Sequence, residues 1–296
     1  MSGIVIINKG EGITSQGVVK RVSRLFAERK AGHTGTLDPL ATGVLPVLVG
    51  RAVKASEYML TSDKYYRATL RLGLTTDTED ITGEVISECE SIPEEEEVLR
   101  VIDSFVGEIY QVPPMYSALK VGGKKLCDLA REGKVIDREA RPVKVFSIEA
   151  KRESDTDYTL DVHCSKGTYI RTLCADIGKA LGCGGVMAAL CRTVASRFTL
   201  EEAHTLEEIE AMSEKERRAL IIPVEKIFEE LKKITLPPFF ARLARAGAEI
   251  YLSKIGEGLP EGERVTLYDG EGFFALGEVR AFAEGLAIKP IKLFEI

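Results

Sequence analysis

The chain has 296 residues, 45 % of them hydrophobic and 29 % charged, with a net charge of −6. This is the mixture of a globular protein with one large domain or two unequal ones, and it excludes a disordered or fibrous chain. The apolar run Pro39 to Gly50 is 12 residues long and holds two prolines, short of the roughly 20 residues a membrane-crossing helix needs.

Met1 to Asn8 carries no basic region and no small-residue cleavage pattern, so it reads as a first strand rather than an export signal, and a cytoplasmic protein with no membrane partner is expected. Ser15 then leads into Val18, Val19, Val22, Leu25 and Phe26 at helical spacing, with Lys20, Arg21, Arg24 and Arg29 on the other side. A glycine-rich loop, Gly32 to Gly43, precedes the apolar Val44 to Val49. Lys64 to Gly73 alternates as a strand: Tyr66, Ala68, Leu70 and Leu72 face inward, and Tyr65, Arg67, Thr69 and Arg71 face outward. Pro93 opens a helix whose first turn, Glu94 to Glu97, suits the helix dipole, with Val98, Ile102 and Phe105 as its apolar stripe.

Tyr158 to Cys164 alternates as another strand, and Lys166-Gly167 turns into a helix with Ile170, Leu173, Ile177 and Leu181 on one face. Arg171 falls in its first turn, off that stripe. Thr205 with Glu208 is a capping-box start. From Leu236-Pro237-Pro238 onward a short helix and glycine-separated apolar runs (Arg264 to Tyr268, Phe273 to Val279, Leu286 to Phe294) describe a small β-rich module. The expected division is therefore 1–234 and 235–296.

Charge is unevenly spread. Residues 1–60 carry a net +4 and residues 118–152 a net +5, while the acids gather in Glu88 to Glu97 and in 201–230. Basic patches matter more than total charge for a nucleic-acid partner. Ala118 to Lys144, with Lys120, Lys124, Lys125, Arg131, Lys134, Arg138 and Arg141, is a candidate grip for RNA phosphates. The six cysteines form no C-x-x-C pair, and there are only three histidines. Reduced thiols and no metal site are expected, which leaves chemistry to Asp, Glu, Tyr, Lys and Arg.

The loop Gly32-His33-Thr34-Gly35-Thr36-Leu37-Asp38-Pro39-Leu40-Ala41-Thr42-Gly43 joins a carboxylate to three glycines that let a backbone approach a ligand. Composition alone also allows a plain tight turn, since Asp-Pro is ordinary turn chemistry. Together with Lys30 and Val44-Leu45-Pro46-Val47, this segment resembles the signature of the TruB family of bacterial tRNA pseudouridine synthases. Four further stretches resemble that family in the same order. They are Asn8-Lys9 with Gly12-Ile13-Thr14-Ser15; Asp63-Lys64-Tyr65-Tyr66 with Leu72-Gly73 and Thr76-Asp77-Thr78; Gln111 to Lys120; and Cys164 to Thr172. The likeness runs over residues 3 to 200, and the C-terminal module more loosely resembles a PUA domain, an RNA-binding fold.

The resemblance implies an α+β pseudouridine-synthase fold with a mixed, largely antiparallel central sheet. It also implies isomerisation of the T-loop uridine of tRNA, position 55 in tRNA numbering, with no cofactor and no obligate protein partner. Asp38 matches the family's catalytic aspartate, able to attack C1′ or to take a proton from C2′. Arg171 matches its partner, expected to lower the carboxyl pKa while orienting it. Tyr66 matches the tyrosine that stacks on the extruded base near C5. His33 matches the residue that fills the vacated place in the RNA, and Lys9 and Leu190 match positions lining the base pocket. Two residues depart from the pattern: Gly10 stands where a proline is usual, and Cys191 where an arginine commonly follows the leucine. A non-catalytic RNA-folding protein and a relative acting in a guide-RNA complex are the competing readings.

Overall fold

The alternation read in Lys64 to Gly73 seeds a nine-stranded sheet. The computed structural model describes residues 2–117 and 119–294. Along the sheet's main path lie Gly3–Lys9, Thr42–Val49, Gly185–Ala195, Lys64–Leu72, Asp157–Cys164, Arg141–Arg152 and Gly107–Gln111. The short strands Ala31–His33 and Phe198–Thr199 pair with Thr42–Val49 and Gly185–Ala195. Every pairing is antiparallel except that of Thr42–Val49 with Gly185–Ala195. The sheet is thus mixed and largely antiparallel, in the α+β class expected.

Tyr66, Ala68, Leu70 and Leu72 do point inward, and Tyr65 outward. They meet Leu160 and Val162 of the neighbouring strand and the apolar stripes of helices Ser15–Leu25, Glu95–Asp103 and Ile170–Ala180 in the main core. Gly178 lets the last helix lie directly on the sheet, since a Cβ there would sit 2.1 Å from the Gly185 nitrogen. The same helix delivers Arg171 to the cavity side of the sheet.

On the opposite face, Ile4, Ile6, Val44 and Leu48 are covered by Phe198, Phe228, Phe273 and Phe294. Of the last two aromatics, Phe273 lies in and Phe294 directly follows a second, five-stranded sheet, ordered Lys232–Thr235, Arg264–Asp269, Gly272–Phe282, Gly285–Leu293 and Ile250–Tyr251. That sheet, with helix Pro238–Arg245, also closes a core of its own. Its first strand spans the residue at which composition changes, so a chain cut at 234 would divide that strand.

Two details differ from expectation. Thr14, not Ser15, caps the first helix, its hydroxyl accepting from the Gly17 amide at 3.0 Å. Ser15 is thereby free to bond elsewhere. Residues 141–152, read only as the end of a basic stretch, form a long strand. It bulges between Val145 and Ser147 and faces largely outward, which blurs the period-two signal.

Candidate active site

Asp38 lies on a loop held from beneath by buried cations. Lys9, fully buried at the end of the first strand, donates to the carbonyls of Gly10 at 2.8 Å and Pro39 at 3.2 Å, and to that of Ala41. Burial drives its pKa from 10.5 down to about 8, and nearby Asp38 and Glu11 resist that fall. Ser15 exchanges two bonds with Leu37, accepting its amide at 2.8 Å and donating to its carbonyl at 2.9 Å. Arg192, 1 % exposed, donates to Val44 O at 2.8 Å and to Gly35 O at 3.2 Å. Gly43 permits this approach: its φ is +100° and a Cβ there would stand 2.3 Å from the Arg192 carbonyl oxygen.

From the other side comes Arg171, 5 % exposed in the first turn of its helix, with Nε 3.0 Å from Asp38 Oδ2. Its remaining nitrogens are occupied: Nη1 donates to Thr78 O at 3.1 Å and lies 3.7 Å from Asp80 Oδ2, and Nη2 donates to Tyr116 O at 2.8 Å. Asp80 is itself fixed, accepting from the Thr78 and Thr82 hydroxyls and from the Thr82 amide. A guanidinium so tied cannot rotate away from the carboxylate.

Arg171 lowers the Asp38 carboxyl pKa as expected, but it does not decide the net shift. Burial is the largest influence and raises the carboxyl above its ordinary value; Asp80 adds to this, and Arg171 and Lys9 oppose without overcoming it. The result is a partly desolvated, more basic carboxylate with one fixed partner.

These groups border a cavity of about 270 Å³ whose lining includes Asp38, Tyr66, Arg171, Leu190, Arg192 and Ser117. Tyr66 is 8 % exposed on strand Lys64–Leu72, opposite Arg192 in the sheet register. Burial raises its phenol pKa, and the nearby Arg192 guanidinium works the other way through its charge. Tyr66 therefore enters neutral at pH 7, an apolar ring with a polarised oxygen.

Asp38, Tyr66, Arg171 and Leu190 come together as the sequence pattern suggested. Lys9 and His33 are not among the lining residues: Lys9 supports the loop from below, and His33 ends the short strand that leads into it. Arg192 and Asp80 are members of the constellation that sequence reasoning passed over. Cys191 was weighed as a lost cation, yet the next residue along the strand supplies a guanidinium beside Tyr66. A signal for Arg192 existed in the alternation, which puts it on the same face as Leu190.

In the basic stretch, Ala118 and the side chains of Lys120 and Lys125 lie outside the described residues. The remainder includes helix Leu126–Arg131 and exposed ion pairs of Arg131 with Asp128 and of Lys134 with Glu132.

The chain is similar to known proteins along most of its length. Residues 23–170 match the model of the TruB family pseudouridylate synthase N-terminal domain, and residues 171–229 that of the tRNA pseudouridylate synthase B C-terminal domain. The chain is 43 % identical over 282 residues to the tRNA pseudouridine synthase B of Alkaliphilus oremlandii, covering 95 % of this chain and 94 % of that protein. It is 42 % identical over 281 residues to the same enzyme of Francisella tularensis subsp. novicida, covering 94 % and 91 %. Among solved structures, a chain of a Cbf5-Nop10-Gar1 complex superposes with a TM-score of 0.73 at 28 % identity, covering 99 % of this chain and 84 % of that one. With half its length inside the N-terminal family model and close relatives along nearly all of it, the chain belongs to the TruB family of pseudouridylate synthases.

Proposed function

We propose that this protein isomerises the T-loop uridine of cytoplasmic tRNA, position 55 in tRNA numbering, to pseudouridine, with Asp38 as the group that acts on the sugar. The observation that carries the reading is the Arg171 Nε to Asp38 Oδ2 contact of 3.0 Å, set in the wall of a cavity that Tyr66 also lines. The reaction breaks the C1′–N1 bond, turns the base, joins C1′ to C5, and moves one proton in net, C5 losing its proton and N1 gaining one, with no net redox change. Asp38 in its ionised form either bonds to C1′ or removes the C2′ proton. Its raised basicity favours both, and Arg171 keeps the oxygen aimed.

Tyr66 offers a ring for the extruded base to stack on, and its oxygen, near the Arg192 guanidinium, is the proposed relay for the proton at C5. A stacked, desolvated uracil explains why the ring and not merely a hydroxyl is buried here. His33 is proposed to take the place the base leaves in the T-loop, just outside the cavity. The exposed cations of the 119–144 segment are proposed to hold phosphates, and the second β-sheet unit, from about residue 235, is proposed as a PUA-like RNA-binding module.

The deciding experiment maps pseudouridine at nucleotide resolution in an unmodified tRNA transcript, using metal-free wild type and Asp38→Asn in parallel. Product at the T-loop uridine from wild type alone supports substrate, site and cofactor independence together. Tight binding with no product from either protein would turn the reading toward an RNA-folding role.

A further inference from the structure

Glu79 is a half-buried carboxylate beside the arginine that holds Asp38, in a backbone conformation that a long side chain rarely adopts. Its φ is +64°, in the left-handed region that glycine occupies freely. The conformation is locked on both sides: Glu79 O accepts from the Met187 amide at 3.1 Å, and the Ile81 amide donates to Met187 O at 3.0 Å. The kink presents three successive residues to the first turn of helix Ile170–Ala180. Thr78 O accepts from Arg171 Nη1 at 3.1 Å, and Asp80 Oδ2 lies 3.7 Å from the same nitrogen. Between them, Glu79 Oε2 accepts from Thr172 Oγ1 at 2.6 Å.

Thr172 is 4 % exposed and follows Arg171 directly, so this bond ties down the residue next to the guanidinium. The Glu79 carboxylate also faces Arg171, Asp176 on the same helix and Arg138 of the basic segment. A glycine here would relax the backbone; a glutamate is held against that strain, and its carboxylate is what it adds.

We propose that Glu79 is a positioning residue for pseudouridine formation, fixing the first turn of helix Ile170–Ala180 through Thr172 and so the direction of Arg171 at Asp38. The proposal rests on the roles given to Asp38 and Arg171 above. It accounts for the three contacts of the 78–80 segment with helix Ile170–Ala180 as one clamp on consecutive helix residues.

The test compares Glu79→Gly, Glu79→Gln, Thr172→Val and the Glu79→Gly/Thr172→Val pair with wild type and Asp38→Asn. In Glu79→Gly, the single-turnover rate is expected to fall about tenfold, because near-attack geometry loosens. The tRNA affinity should stay within about twofold, because the variant touches no RNA phosphate. The thermal midpoint should be equal or higher, because glycine suits the φ. The acid limb of the rate should move up in pH. Asp38 faces Arg171, Lys9 and Asp80, and a displaced Arg171 opposes its burial less well. Glu79→Gln, still able to accept from Thr172, should restore most of the rate. Thr172→Val should copy Glu79→Gly, and the pair should be no worse than either alone.

A wild-type rate and acid limb in Glu79→Gly, or a loss there that Thr172→Val does not share, would overturn the proposal. Were Glu79→Gly not to fold, a wild-type rate in Thr172→Val would overturn it by itself. Turnover by Asp38→Asn would instead remove the underlying assignment, so the two failures are distinguishable.

Discussion

The loop carrying Asp38, which lines the cavity, and the basic segment that begins just after the cavity-lining Ser117 are built in opposite ways. The loop has no regular secondary structure, yet almost every carbonyl around the carboxylate is held: by Lys9, by Ser15, by Arg192 and by the Gly12 amide, which donates to Pro39 O at 2.8 Å. The basic segment is tied at its root, where Cys127 N–H meets Ser117 O at 3.1 Å and Leu126 is buried, while among its described cations Arg131 and Lys134 stay exposed and pair with close neighbours in sequence. The role proposed for Asp38 at the sugar demands tight placement, and a loop held from within fits that role. Gripping a flexible phosphate chain rewards cations that can adjust.

Substitution in the loop should therefore strike turnover, and substitution in the segment should strike affinity. Asp38→Asn is expected to lower product formation by at least about a thousandfold, as removal of a nucleophile or base does, with tRNA binding retained in a filter or fluorescence assay. Residual activity within about tenfold of wild type would be too much for the assigned role. Because the folded carboxyl is raised, the folded state holds its proton to higher pH than the unfolded chain, and ionising Asp38 costs stability as pH rises through that window. Asp38→Asn should accordingly melt no lower than wild type at pH 7.

Lys9→Met removes the donor to Pro39 and Ala41 and should cost about 2 kcal/mol of stability, the scale of orphaned buried carbonyls, together with most of the turnover. Its pH signature is separate. Between about 8 and 10.5 the unfolded chain holds one more proton on Lys9 than the folded chain, so wild-type stability climbs with pH across that interval, and Lys9→Met should flatten the climb. A slope unchanged in the variant would assign it to another group.

Tyr66→Phe keeps the stacking ring and loses the oxygen; a fall of about a hundredfold in product, with tRNA affinity intact, is the expected outcome of losing a proton relay. Undiminished product would leave Tyr66 as a stacking surface only. The mildest change lies in the basic segment. Arg131→Ala with Lys134→Ala should leave the single-turnover rate untouched at saturating tRNA and reduce the slope of log affinity against log salt by about one for each phosphate left without its cation. A rate effect without an affinity effect would erase the contrast between the two regions.

Deleting the C-terminal unit is a poorer test than point changes. Phe273 and Phe294 belong to the cluster that covers Ile4, Ile6 and Leu48, so removal would strip the outer face of the catalytic sheet. That joint core was invisible in a reading that split the chain by texture, because an apolar residue announces burial and not its partner.

Local rules carried much of the rest. The alternation of Lys64 to Leu72 placed Tyr66 inward, the capping box at Thr205 was found where expected, and the motif residues Asp38 and Arg171, separated by more than a hundred positions, do meet. Strand Arg141–Arg152 escaped because a bulge and an outward face remove the periodicity on which such readings depend.

By itself, the sequence carried the motifs whose family likeness implied the α+β class and the candidate residues, and its charges marked the segment after Ser117 as basic, since motifs and charge are local properties. Only the tertiary structure decided how the site is tuned. Lys9 proved a support beneath the loop, Arg192 took up a place beside Tyr66, and the pKa of Asp38 went up although an arginine touches it. Each of those outcomes depends on how much water the fold removes around a charge, and desolvation is set by everything packed nearby rather than by the neighbours in the chain.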